Sequence, residues 1–284
     1  MIEFMLTPSG GHRVRFAISP LDEVLAALQA AIGLRDHPPG VPRLAVDALG
    51  ALPIAELLSV LGDPRYVCEF LSPPTTGYDT TAAAQLAEVR RTPAAQVRTE
   101  LDALNVDVGG WCSDPGRARD LLADQLETVW TELMAPHWPA LRDVLHADIR
   151  YRSGRWAAGG LDAAVAGLHP DVRMTERADA DAVVVRNPAR ARVPLDRRGL
   201  LLVPSVFTWQ RTSVIAVAAV GDLPRTRYRG TGCGAVGRHA AGPRRRPHQG
   251  ETAGRPGGAD GHLRPGAVAA PRPQHRLRAP GRLA

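Results

Sequence analysis

The spacing of apolar residues changes near His169-Pro170, and this change constrains the fold more than any other feature of the sequence. Before this point, apolar residues recur every three or four positions, which is typical of amphipathic helices. After it, short apolar runs alternate with turn residues, which is typical of strands. Helices followed by strands predict a protein of the α+β class.

Capping chemistry predicts where two of the helices begin. Ser19-Pro20 follows a strand-like alternation at Val14 to Ile18. Serine can accept a hydrogen bond from a free amide, and proline suits the first helical position because it has no N–H to lose. Thr92-Pro93 repeats this pattern. Further helical patterns cover residues 117–134, 141–149 and 161–168.

The strand-like runs after His169 predict a β-meander, which the N-terminal strand could join. Arg197-Arg198-Gly199 is a predicted hairpin turn between the two runs on either side of it, and Gly199 would supply the positive φ that such turns require. The predicted strands are residues 172–174, 183–185, 193–195, 200–203 and 214–220.

The charge of the chain is divided unevenly between two predicted parts. The net charge is +6, and all 35 basic residues are arginine. Residues 233–284 hold ten arginines against Glu251 and Asp260, a balance of +8, which leaves −2 for residues 1–232. This Arg-, Gly- and Pro-rich tail has too little apolar surface to offset its conformational entropy, so we expect it to be disordered. The predicted domains are therefore residues 1–232, an α+β body, and residues 233–284, a basic tail.

Composition and the N-terminal residues exclude several classes of protein. No stretch approaches the roughly 18 to 20 apolar residues of a membrane-spanning helix, so no membrane partner is expected. Three scattered cysteines cannot form a disulfide scaffold. Because residues 1–8 show no basic region followed by an apolar run, we expect no signal peptide and a cytoplasmic protein.

No catalytic, cofactor or metal motif withstands inspection. Gly232, Gly234 and Gly237 have the spacing of a dinucleotide-binding loop, but no strand precedes them and no helix can follow. The cysteines and histidines lack ligand spacing. Ser205 lies in Pro-Ser-Val-Phe, which is not a nucleophile elbow. We therefore expect no enzyme, no cofactor and no metal site.

Three stretches resemble actinobacterial ArsR-type transcriptional regulators that carry a long N-terminal domain of unknown function. They are RVRFAISPLDE (residues 13–23), TPAAQVRTEL (residues 92–101) and RGLLLVPSVF (residues 198–207). Their order and spacing extend the resemblance over about residues 10–232. The residues that carry the motifs are Ser19, Pro20, Leu21, Glu23, Thr92, Pro93, Gly199, Leu200, Pro204, Ser205 and Phe207.

The resemblance implies a winged helix-turn-helix after the body, which would bind operator DNA, with the protein as a possible homodimer. Residues 233–284 show no such pattern, so no DNA-binding residue can be assigned. An arginine-only chain indicates a GC-rich gene, whose out-of-frame translation would give this kind of tail. If Cys233 to Gly237 are encoded TGC GGN GCN GTG GGN, reading one base later permits Ala-Ala-Leu-Trp, and the family has Leu-Trp at this place.

Two other functions remain open. One is a stand-alone ligand-binding or protein-interaction domain with a pocket between Leu200–Phe207 and the helix at residues 117–134, where Trp130 and Phe207 would meet. Ordinary core packing is nevertheless the favoured interpretation of both aromatic residues. The other is non-specific, salt-dependent binding of nucleic acid by the arginine tail alone.

Overall fold

The computed structural model describes residues 1–7, 14–39, 41, 46–64, 66–75, 77–177, 180–188, 190–195, 199–208, 213–215 and 225–229. All of them belong to the first of the two units into which the chain divides, Met1–Gly242 and Pro243–Ala284. They confirm the α+β class, since helices occur together with two mixed sheets. The predicted disordered tail and the glycine pattern at Gly232 to Gly237 lie outside the described residues.

Helix α1, Pro20–Ala31, begins where capping chemistry predicts it. The Asp22 amide donates a hydrogen bond to Ser19 Oγ at 3.2 Å, and Pro20 occupies the first turn. Ten of the twelve residues of α1 are buried. A helix buried on nearly all sides lies inside the molecule, not on its surface.

The other helices surround α1 or extend the body toward the sheets. Helix α6 continues through a π-helical turn at Trp130–Met134. Helix α7 is kinked at Gly159 and Gly160, and its two halves correspond to the patterns at residues 141–149 and 161–168. The bounds are α2 Val46–Ala51, α3 Ala55–Leu61, α4 Ala82–Arg91, α5 Ala94–Asp102, α6 Pro115–Val129 and α7 Trp138–Val165.

The predicted cap at Thr92 is wrong. The Thr92 hydroxyl donates to the Glu88 carbonyl at 3.4 Å, and Pro93 precedes α5 without any side-chain cap. Thr92 lies at the end of α4, so a helical carbonyl is the partner within its reach. A threonine does cap a helix eleven residues earlier, where Thr81 Oγ accepts from the Ala84 amide at 3.2 Å.

The first sheet has the strand order β3-β4-β1-β5. Strand β1 lies antiparallel to β4 and parallel to β5, so the N-terminus of the chain is central in this sheet. The sequence patterns did not predict β1. The bounds are β1 Ile2–Leu6, β3 Val172–Thr175, β4 Ala182–Val185 and β5 Ala191–Leu195.

The second sheet has the order β2-β6-β8-β7. Strand β2 pairs in parallel with β6, which confirms that the strand at Val14 joins the later strands. All six residues of β6 are buried, as expected for a strand with parallel neighbours on both sides. The bounds are β2 Val14–Phe16, β6 Leu200–Ser205, β7 Ser213–Ile215 and β8 Arg225–Arg229.

The predicted meander is therefore wrong in its topology, although the class is right. Strands β5 and β6, which were expected to form a hairpin, belong to different sheets. Gly199 does adopt a positive φ of 80°, but it leads the chain from one sheet into the other. The reason is that β1 and β2 pair with β5 and β6, so each of these strands has a partner distant in sequence.

Gln85 of α4 joins three segments around the buried N-terminal end of α1. Its Oε1 accepts from the Leu21 amide at 3.0 Å, and its Nε2 donates to Ser19 Oγ at 2.9 Å and to the Pro73 carbonyl at 3.2 Å. The first amides of a helix have no partner within the helix, so a buried helix end requires such external partners. Gln85 is itself only 1% exposed.

Replacing Gln85 by methionine should lower the free energy of unfolding by about 3 kcal/mol, because the buried Leu21 amide and Pro73 carbonyl lose these partners. Urea unfolding monitored by circular dichroism measures the change. The control is Arg98→Met at an exposed position of α5, which should cost less than about 1 kcal/mol. Equal losses in the two variants would refute this role of Gln85.

Candidate functional site

Two of the stretches that carry the family resemblance meet beside the first turn of α1, although they lie near opposite ends of the body in sequence. The Val206 amide donates to Glu23 Oε2 at 2.9 Å, across 183 positions of sequence. Glu23 is 1% exposed and Ser205 is fully buried. We call this cluster the Glu23 junction, and it comprises Ser19, Asp22, Glu23, Ser72, Gln85, Ser205 and Val206.

Local structure places each polar group of the Glu23 junction. Asp22 and Glu23 lie in the first turn of α1, where carboxylates favour the positive end of the helix dipole. The Ser72 hydroxyl donates to Asp22 Oδ1. Strand β6 ends at Ser205, whose Oγ accepts from the Thr208 amide at 3.0 Å, and this turn brings the Val206 amide to Glu23.

Burial shifts the protonation of Glu23. Removal from water raises its pKa from 4.5 to about 7, and the neighbouring charge of Asp22 adds to the increase. Hydrogen bonding to Ser205 and to the amides of Val206 and Phe207 lowers the pKa but does not offset the loss of hydration. Both protonation states of Glu23 are therefore populated near neutral pH.

The remaining motif residues of α1 and β6 occupy buried packing positions. Leu21 is fully buried in the helical core, and Pro20 is buried in the first turn. Leu200 pairs with Val14 of β2, and Pro204 is buried within β6.

Thr92 and Pro93 lie at the corner between α4 and α5, where the Thr92 carbonyl accepts from Arg119 Nη1 at 2.9 Å. The structure thus brings together residues 19–23 and 204–207. It does not bring the Thr92 stretch into the Glu23 junction.

The sequence indicated Glu23 but not the burial of its partners. Asp22 and Glu23 belong to one of the stretches that carry the resemblance, but acidic side chains are usually exposed. Their burial could have been inferred from the apolar residues on every side of α1, from Leu21 to Leu28. Gln85 and Ser72 carried no signal, because isolated polar residues of these types are common on surfaces.

The aromatic pocket expected between Leu200–Phe207 and the helix at residues 117–134 is not formed by the residues proposed for it. Trp130 packs edge-on against Trp138 with ring centroids 5.2 Å apart. Phe207 faces His37 with centroids 6.3 Å apart. Both residues pack with the main helical core, so they serve as core residues.

Open cavities lined by described residues occur at other places on the body. One has a volume of about 430 Å³ and lies between β2 and α7, with Tyr78 at its margin. The other, of about 280 Å³, lies beside Trp111 and the start of α3. Neither is lined by residues of the Glu23 junction.

Within the described residues, no group of three or more histidine, cysteine or acidic side chains could hold a metal ion. Cys68 is buried, and burial raises the pKa of its thiol, which disfavours the reactive thiolate. None of the described helices is long and apolar enough to cross a membrane.

The fold and the buried junction define an α+β protein with two mixed sheets. Residues 56–223 match the model of a family of unknown function, DUF5937. The match covers more than half of the chain, which therefore belongs to this family. No curated protein and no solved structure matches the chain. The match contains Ser205 and Val206, whereas Glu23 precedes it.

The raised pKa of Glu23 predicts a specific pH dependence of stability. Between pH 4.5 and about 7 the folded protein holds this proton more tightly than the unfolded chain does. The contribution of Glu23 to stability is thus fully present below pH 4.5 and is lost as the pH rises through 7. The loss should amount to about 3 kcal/mol.

Glu23→Gln keeps the side chain neutral and should remove this loss. The free energy of unfolding of this variant minus that of wild type should increase by about 3 kcal/mol from pH 4.5 to pH 8, as measured by urea unfolding. Glu88→Gln, at an exposed position of α4, is the control and should show no comparable change. A difference between Glu23→Gln and wild type that stays constant with pH would contradict the assignment.

Proposed function

We propose that this chain is the N-terminal body of an ArsR-like DNA-binding transcriptional regulator, cytoplasmic and dimeric when intact. The supporting observation is the contact between Glu23 and Val206. Two of the three stretches that carry the resemblance are distant in sequence yet meet in one buried junction. The two stretches therefore belong to one structural unit, and the resemblance does not consist of two unrelated short matches.

In this proposal the body does not read DNA itself. A winged helix-turn-helix following the body would bind the operator, with affinity from phosphate contacts and specificity from base edges. With the codons assumed above for residues 233–237, the +1 reading frame permits the Leu-Trp segment of the family. The proposal therefore places the DNA-binding half in that frame.

The nucleotide sequence of the gene provides the first test. After the codon for Gly232, the +1 frame should remain open for roughly a hundred codons and encode a helix-turn-helix pattern. Early stop codons in that frame, or an open frame without this pattern, would refute the frameshift and leave a stand-alone interaction domain as the better function.

DNA binding provides the second test. The full chain and the frame-restored chain are titrated with DNA from upstream of the gene and with random DNA, each at two salt concentrations. The restored chain should prefer the upstream DNA by at least about a thousandfold, whereas the chain of 284 residues should show no preference.

Two results would contradict the proposal: sequence-specific binding by the chain of 284 residues, or no specific binding by the restored chain. Binding by the 284-residue chain that is independent of sequence and falls steeply with salt would assign nucleic-acid binding to the arginine tail.

A further inference from the structure

The chain that follows β6 is held by side chains, because the strand ladders end before it. The β6–β8 ladder ends at Ser205, and the β2–β6 ladder ends earlier. Beyond both ladders, the Val206 amide donates to Glu23 Oε2 at 2.9 Å, and the Thr208 amide donates to Ser205 Oγ at 3.0 Å. We call residues 206–208 the 206–208 turn. Its contact with α1 is made through a side chain that can change its charge.

The carboxylate of Glu23 lacks partners that would replace its hydration. Glu23 is 1% exposed and forms no ion pair with any described residue. Among the described residues, none donates a hydrogen bond to its buried Oε1 atom. A buried carboxylate without a cation is costly in its ionised form. Contact with water would therefore stabilise ionised Glu23 far more than protonated Glu23.

The groups around Glu23 do not neutralise its charge. On α1 itself, the buried Asp22 adds a second negative charge and raises the pKa of Glu23. Gln85 of α4 and Ser72 bring uncharged side chains to the Glu23 junction. The end of β6 contributes the Ser205 hydroxyl and backbone amides, which favour the ionised form but do not offset burial.

Water can reach Glu23 if the 206–208 turn alone separates from α1. The β2–β6 ladder does not involve Glu23. The cap of α1 does not involve it either, since Gln85 Oε1 accepts from the Leu21 amide. The two apolar residues of the turn are 0% and 3% exposed, so opening exposes apolar surface and the closed form predominates.

We propose that the 206–208 turn is a proton-operated latch, which is closed on α1 while Glu23 is protonated and opens more often after Glu23 has lost its proton to water. The open form keeps helix α1 and both sheets, and it hydrates the carboxylate. This goes beyond a pH-dependent stability, because the latch opens within the folded protein. It belongs to the body and does not depend on the proposed DNA-binding half.

Amide hydrogen exchange of the full chain, resolved residue by residue, measures the opening. The pKa of Glu23 is about 7 in the closed form and returns toward its ordinary value of 4.5 when the group is hydrated. The opening constant should therefore increase about tenfold from pH 6 to pH 8. The exchange rates of the Val206 and Thr208 amides, corrected for the pH dependence of intrinsic exchange, should increase by this factor.

Low concentrations of urea distinguish local opening from global unfolding. Local opening exposes little surface, so exchange of the Val206 amide should be nearly independent of urea below the unfolding transition. The Ala17 amide, which donates to the Leu202 carbonyl at 3.2 Å, is the reference in the β2–β6 region. Its exchange should be slower and should accelerate with urea.

Three variants identify the group that responds to pH. Glu23→Gln should abolish the tenfold increase at Val206, because glutamine has no carboxyl proton to lose. Ser205→Ala should keep the increase but extend it to higher pH, since the Ser205 hydroxyl lowers the pKa of Glu23. His37→Gln is the control: His37 contacts the ring of Phe207 with centroids 6.3 Å apart, and histidine also titrates near neutral pH. This control should retain the full increase.

Several results would overturn the proposal. These are the absence of an increase at Val206 in wild type, an increase that persists in Glu23→Gln, or one that is lost in His37→Gln. A urea dependence at Val206 as steep as that at Ala17 would show that the turn opens only by global unfolding. If Glu23→Gln does not fold, an unshifted increase in Ser205→Ala decides against the latch. No measurement uses DNA, so failure here leaves the proposed regulatory function untouched.

Discussion

The fold depends on satisfying the polar groups at the N-terminal end of a buried helix. Helix α1 has ten of its twelve residues buried, so its first amides and its two acidic side chains cannot rely on water. Partners come from Gln85 on α4, from Ser72 and from the turn after β6. An unsatisfied buried polar group costs about 1–3 kcal/mol. The loss of several partners would therefore cost a free energy close to the whole stability of a typical domain.

This requirement also connects the two halves of the body. Glu23 belongs to the helical half, whereas its hydrogen-bond donor, the Val206 amide, follows the central strand of the second sheet. The strand β2 precedes α1 and pairs with β6, so the same two segments are joined twice. The Glu23 hydrogen bond fixes the end of β6 against α1, and the β2–β6 ladder fixes its beginning.

Local chemistry made part of this structure predictable from the sequence. The Ser19-Pro20 cap predicted the start of α1, and the alternation of apolar and polar residues predicted β2. Both signals depend on only a few neighbouring residues. The predicted meander was wrong because strand pairing depends on residues that are distant in sequence. Strand β1 lies between β4 and β5, and no local sequence pattern indicates this position. Gln85 and the pairing of Tyr78 with His146 were equally invisible, since each depends on contacts between elements.

The short segment between β2 and α1 connects the second sheet directly to the Glu23 junction. Strand β2 ends at Phe16, and Ser19, three residues later, caps α1. The intervening Ala17 amide donates to the Leu202 carbonyl of β6 at 3.2 Å, so this short segment is held against the sheet. Glu23 is the titratable group at this place, and its pKa of about 7 makes the protonated and ionised forms nearly equal in free energy at neutral pH. Ionisation of Glu23 therefore places a charge without its hydration where the end of β6 meets α1, so this connection between helix and sheet contributes less stability above pH 7 than below it.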